Sequence, residues 1–145
     1  MNAAYEVEPG LYQGAMRIVV ENWEEIRGAI DVVLICAHTV EFIPEEYIPA
    51  VTKIVFCIPD DPNGLDEETL ARLRAICEFV KDQRVLTVCH MGENRSGLAS
   101  ALILIARGRT SQEAIRLIRA SGAVRSHGKP YLLWNPGFVK QVEAA

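Results

Sequence analysis

The chain is predicted to be an α/β protein, one domain over residues 1–145, with a central mixed or largely parallel sheet flanked by helices. Three observations predict it. Short, mostly apolar runs at 32–37, 53–58 and 84–88 alternate with segments whose apolar residues recur at helical spacing. The run at 98–106 is apolar on every face, as a helix buried inside a layered core must be. With 145 residues, 50% of them hydrophobic, the chain can bury a core without disulfide or metal staples.

The elements follow in order. Asn22 with Glu25 has capping-box spacing and opens a short helix that runs toward Gly28. Residues 32–37 form a buried strand and 53–58 another. Leu65, Leu70, Leu73, Ile76, Cys77 and Val80 mark an amphipathic helix, with Asp66, Glu67 and Glu68 near its positive end. Residues 84–88 are the central strand, followed by a loop and the buried helix to Arg107. Thr110 and Glu113 form a second capping box, for a helix that stops near Gly122. Asn135 caps a last helix with Pro136 at its first position. No linker, repeat or low-complexity segment interrupts this layout.

Composition narrows the function classes. A net charge of −4 argues against a nucleic-acid partner, which calls for a basic face. The N-terminus lacks a basic segment followed by an apolar one, and the longest apolar run falls far short of a bilayer span, so a soluble, cytoplasmic protein with no membrane partner is expected. Cys36, Cys57, Cys77 and Cys89 have no zinc-type spacing; no metal or cofactor is expected, and the first three read as small core hydrophobes. His38 and His127 lie in loops without partnered ligands, and Trp23 and Trp134 read as packing residues. Arg116, Arg119 and Arg125 read as a solvated face.

The chemistry concentrates in Cys89-His90-Met91-Gly92-Glu93-Asn94-Arg95-Ser96-Gly97. A strand, a tight loop and a helix start would make the amides of His90, Met91, Gly92, Glu93, Asn94 and Arg95 converge on one anion. A thiolate is favoured where such amides and a guanidinium supply positive potential, which makes Cys89 the candidate nucleophile. Arg95 offers a planar fork for two phosphoryl oxygens. Gly92 and Gly97 let the backbone bend and approach the anion, and the Ser96 hydroxyl is placed to donate to the Cys89 sulfur when it leaves.

Cys89 to Ser96 resembles the signature loop of the cysteine-dependent protein phosphatases, specifically the compact dual-specificity branch. The resemblance extends to Pro9-Gly10-Leu11-Tyr12-Gln13-Gly14 as an opening strand, to residues 31–37 as a second strand, and to Asn135-Pro136-Gly137-Phe138-Val139-Lys140-Gln141 as the start of a C-terminal helix. It implies a phosphomonoester hydrolase that acts on phosphotyrosine and phosphoserine or phosphothreonine in phosphorylated proteins, through a phosphocysteine, without metal or cofactor. The leaving oxygen needs a proton. The family takes it from an upstream loop, here Ile58-Pro59-Asp60-Asp61-Pro62-Asn63-Gly64, in which Asp60 and Asp61 compete; the family spacing favours Asp60, a tandem reading Asp61. The family's histidine before the nucleophile is replaced by Val88, and Thr87 or His90 is the candidate to compensate. Relatives with a cysteine at the position of Cys36 imply a redox partner for Cys89. Glu93 in the loop disfavours highly anionic lipid head groups. Two other classes stay open: a phosphate-binding module without turnover, and a sulfurtransferase, whose cysteine loop is commonly shorter and lacks the arginine-serine ending.

Overall fold

The computed structural model describes residues 4–37, 51–122, 129 and 131–145. Five strands form one mixed sheet: β1 (Tyr5–Glu8), β2 (Leu11–Ala15), β3 (Val32–Ile35), β4 (Thr52–Val55) and β5 (Val85–Cys89), in the spatial order β1-β2-β5-β3-β4. The β2-β5, β5-β3 and β3-β4 pairs are parallel, and only the edge pair β1-β2 is antiparallel. Pro9 and Gly10 turn that edge hairpin, with Gly10 at φ +82°. The expected opening strand is therefore the second of two.

Alternation along the strands sorts the core into two layers. Val32, Leu34, Val85 and Cys89 join the larger cluster under α3 (Glu67–Val80), α4 (Arg95–Ala106), α5 (Ser111–Ser121) and α6 (Pro136–Glu143). Val33, Ile35, Leu86 and Val88 face the smaller cluster, which holds Val19 of α1 (Met16–Glu21) and Trp23 and Ile26 of α2 (Trp23–Ile26). Helix α4 is the buried helix of the sequence pattern, with every residue from Ser96 to Leu104 inside.

The local end-signals behave as their chemistry requires. Thr110 and Glu113 close a reciprocal capping box at 3.1 and 2.9 Å. Asp66 accepts from Thr69 N at 2.8 Å to open α3, and that backbone bond holds its carboxyl below the usual range. Asn135 accepts from Gly137 N and Phe138 N to open α6. Asn22 departs from expectation. Its side chain makes no cap bond to α2; Nδ2 donates instead to Ile18 O at 2.8 Å, finishing α1. Helix α1 has no counterpart in the sequence pattern, since Met-Arg-Ile-Val-Val-Glu is rich in β-branched residues of low helix propensity; burial of Val19 against the sheet overrides that preference. Strands β3 and β4 are shorter than the apolar runs, although Phe56 N still donates to Ile35 O and Ile58 N to Cys36 O beyond their ends.

At the amino ends of the strands Arg107 ties the hairpin to α3. Its guanidinium meets Glu8 and the carbonyls of Lys81, Gly10 and Gln83. The cleft of about 480 Å³ at that end is thus walled by a cation already satisfied by structural partners. The other end of the sheet carries the loop that follows β5.

Candidate active site

Among the described residues the buried polar side chains are Gln13, Thr87, Glu93, Asn94, Ser96, Ser100 and Asn135, and all of them belong to the loop after β5 or to the elements that hold it. Buried polar groups are retained where they are satisfied and serve a purpose. This concentration makes the loop after β5 the candidate site before any chemistry is assigned.

Cys89 is the last residue of β5, 2% exposed, with Sγ 3.2 Å from Ser96 Oγ. Arg95 begins α4. Gly92 stands between them at φ +71°, and a Cβ there would lie 2.6 Å from Ala15 N and Gly14 C, so the loop rests directly on the β2 backbone. Beneath it Thr87 Oγ1 lies 2.7 Å from Ser100 Oγ and donates to Ser96 O at 3.2 Å, coupling β5 to the first turns of α4.

Of the two residues considered as compensation for Val88, Thr87 is built into the scaffold, whereas His90 is exposed. Val88 itself packs in the smaller apolar cluster, on the face of the sheet opposite Cys89. Sequence reasoning missed a third residue. Gln13, fully buried on β2, donates from Nε2 to Gly92 O at 2.9 Å and to Glu93 O at 3.4 Å.

The aspartates separate cleanly. Asp60 Oδ1 accepts from Asn135 Nδ2 at 2.7 Å and Oδ2 from Asn94 Nδ2 at 3.2 Å, which suspends its carboxylate between the loop and the start of α6. Asp61 Oδ1 instead accepts from Asn63 N at 2.8 Å, closing an exposed turn. Asp60, Cys89, Met91, Glu93, Asn94, Arg95 and Trp134 line one pocket of about 70 Å³. That is roughly the share of two waters, room for the head of an anion.

The side chains of Asn94 and Asn135 thus belong to the candidate site, where the sequence shows them only as loop backbone and helix cap. Asn94 Oδ1 also accepts from Trp134 N and Asn135 N, both at 2.9 Å. Trp134 does more than pack: its indole N–H donates to Glu93 Oε1 at 2.9 Å, and Lys129 sits 5.3 Å from the centre of its ring. Arg119 stacks on Tyr131 at 4.0 Å and donates to Leu133 O, which braces the same segment from α5. His38, Arg125 and His127 lie outside the described residues.

The four cysteines are free. Burial, and next the charge of Cys89, push the Cys36 thiol well up, and burial alone pushes Cys77 up to about 12. Both are apolar core groups at neutral pH. Cys36 follows β3, shares the larger cluster with Cys89, and donates its N–H to Val88 O at 2.8 Å. No group of three or more His, Cys, Asp or Glu side chains stands together as a metal cage among the described residues, and no helix there is long and apolar enough to cross a membrane.

Comparison of the sequence with protein-family models and with curated proteins returns no match. Solved structures do match. Human DUSP28 aligns with a TM-score of 0.74 at 22% identity, over 99% of this chain and 93% of that chain. The chain has the fold of the compact dual-specificity phosphatases. Tk-PTP in its active form (TM-score 0.72, 18% identity, 99% of this chain and 97% of that one) shares that fold. So does the human tyrosine phosphatase-like serine/threonine/tyrosine-interacting protein (TM-score 0.67, 19% identity, 97% and 93%). At these identities the likeness concerns the dual-specificity phosphatase fold, and the chemistry rests on the residues in the pocket.

Proposed function

We propose that the protein is a cysteine-dependent phosphomonoester hydrolase that acts on phosphotyrosine and phosphoserine or phosphothreonine in protein substrates. The observation that carries this reading is one anion-sized pocket bringing together Cys89, Arg95 and Asp60, with the Ser96 hydroxyl against the thiol sulfur. Loop amides and Arg95 hold the phosphoryl oxygens while Cys89 Sγ attacks phosphorus in line. As the S–P bond forms and the P–O bond breaks, Asp60 gives its proton to the leaving oxygen. Water then attacks the phosphocysteine, Asp60 takes up its proton, and the departing sulfur is stabilised by the Ser96 hydroxyl. Inorganic phosphate leaves. The Glu93 carboxylate among the pocket-lining residues disfavours substrates with further phosphates. The cytoplasm, which keeps thiols reduced, is the proposed setting.

The acid assignment is tested by leaving-group sensitivity. Asp60→Asn is expected to lower kcat about 10²–10⁴-fold on a phosphoserine peptide and far less on an activated aryl phosphate. Asp61→Asn should change turnover little, because its carboxylate serves the turn. The reverse pattern would transfer the role to Asp61. Absence of turnover by the wild-type protein on both substrates would leave a phosphate-binding module, and thiosulfate turnover in its place would indicate sulfur transfer.

Oxidation gives a separate expectation. Peroxide should convert the Cys89 thiol to a sulfenic acid with release of water, and condensation with the Cys36 thiol should give a disulfide and a second water. Peptide mapping should find Cys36 joined to Cys89, and reductant should restore less activity in Cys36→Ser than in the wild type. Over-oxidised Cys89 beside reduced Cys36 would remove Cys36 as the partner.

A further inference from the structure

We propose that Gln13 is the positioning residue of the anion loop: its side-chain amide fixes two loop peptides so that their N–H groups face the phosphoryl group. The inference rests on the reading that the loop after β5 binds a phosphoryl oxyanion.

A trans peptide is planar, with its C=O and the following N–H pointing in opposite directions. Gln13 Nε2 draws Gly92 O and Glu93 O toward β2. The N–H groups of Glu93 and Asn94 are thereby directed away from β2, into the pocket that these residues line with Cys89. Leu133 N, which donates to Glu93 O at 3.1 Å, supports one of the two planes from the other side; for Gly92 O, Gln13 is the donor among the described contacts.

The same residue has a feature that packing does not explain. Gln13 is 0% exposed on β2, and its Oε1 atom is buried without a hydrogen-bond partner among the described residues. An unsatisfied buried acceptor is unfavourable, and leucine would fill the space without it. The donor end accounts for the amide. Its register strengthens the point: Gln13 pairs with Thr87 and Ala15 with Cys89, so β2 lies alongside the strand that delivers the nucleophile, and Gly92 rests on the two residues that follow Gln13. Val88, turned to the opposite face, cannot reach these carbonyls.

Gln13→Leu keeps the volume and removes the donor; Gln13→His returns an N–H at similar reach. With p-nitrophenyl phosphate, Gln13→Leu is expected to lose about tenfold in kcat, to raise the inhibition constant for orthovanadate about tenfold, and to slow alkylation of Cys89 by iodoacetate, an anion drawn to the same cradle. Gln13→His should recover most of all three. Should Gln13→Leu fail to fold, Gln13→Met carries the same test. If the leucine or methionine variant changes the melting temperature alone, with kcat, vanadate inhibition and alkylation within twofold of wild type, Gln13 is a structural residue and the proposal is overturned. A histidine variant that folds but is as impaired as the leucine variant overturns it too. Wild-type protein without phosphatase turnover would refute the proposed function, yet vanadate protection of Cys89 from iodoacetate would still read the effect of Gln13.

Discussion

Cys89→Ser is expected to abolish turnover, a fall of about 10⁴–10⁶-fold in kcat on p-nitrophenyl phosphate, while the protein stays folded and still binds phosphorylated peptide. The substitution changes one atom. Cys89 is 2% exposed and its sulfur neighbours the Ser96 hydroxyl at 3.2 Å, so serine fits the same space and keeps a hydrogen-bonding partner. What disappears is the sulfur nucleophile, since an alcohol in the same place attacks phosphorus far less readily and the loop amides cannot supply the difference. The carboxylates nearby do not replace it as nucleophile, because Asp60 is held by Asn94 and Asn135. Binding of a phosphotyrosine peptide to Cys89→Ser, measured by calorimetry against the unphosphorylated peptide, should therefore match the wild-type KM within a few-fold. Steady-state hydrolysis by Cys89→Ser beyond trace contamination would falsify the phosphocysteine route.

The parts of this site legible in the sequence are those built by local rules. The strand, loop and helix from Val85 to Ala106 are contiguous, so the thiol, the glycine and the guanidinium announce their geometry by spacing alone. The Thr110–Glu113 box and the Asn135–Pro136 helix start are likewise three-residue problems. The same rule misled at Asn22 and Glu25, where the spacing is right but the preceding residues are already helical and claim the side chain. What stayed hidden is long-range. Gln13 and Gly92 are 79 residues apart, and Asp60 and Asn135 are 75 apart; no periodicity links them. The available signal for Gln13 was an amide in an otherwise apolar strand, a position that requires a buried partner. For Asp60 against Asp61, the observation that favours Asp60 is the bond its carboxylate accepts from the distant Asn135. The hydrogen bond that Trp134 adds to its packing is hidden for the same reason, since it joins the indole to Glu93, 41 residues away.

Arg95→Lys should be nearly as damaging as loss of the thiol, with kcat/KM down about 10³–10⁵-fold although the positive charge remains. Arg95 sits at the first residue of α4, where the backbone is fixed by Leu98 N donating to Asn94 O at 2.8 Å, so the lysine cannot slide its backbone to compensate. A guanidinium delivers two parallel N–H bonds to two oxygens of one phosphoryl group, whereas an ammonium delivers a point charge. In the ground state that difference costs affinity; in the transition state, as charge spreads over the equatorial oxygens, it costs rate as well. Both kcat and KM should therefore move, with the larger change in kcat. The charge of Arg95 also reaches behind the loop, where it lowers the Cys36 thiol against the stronger upward push of burial and of Cys89. Arg116→Lys, on the exposed face of α5, serves as the control for charge-preserving replacement and should leave both constants within twofold. Near-normal kcat/KM in Arg95→Lys would mean that the phosphoryl oxygens are held by the loop amides alone, and that the arginine six positions after the cysteine is there for the helix rather than for the substrate.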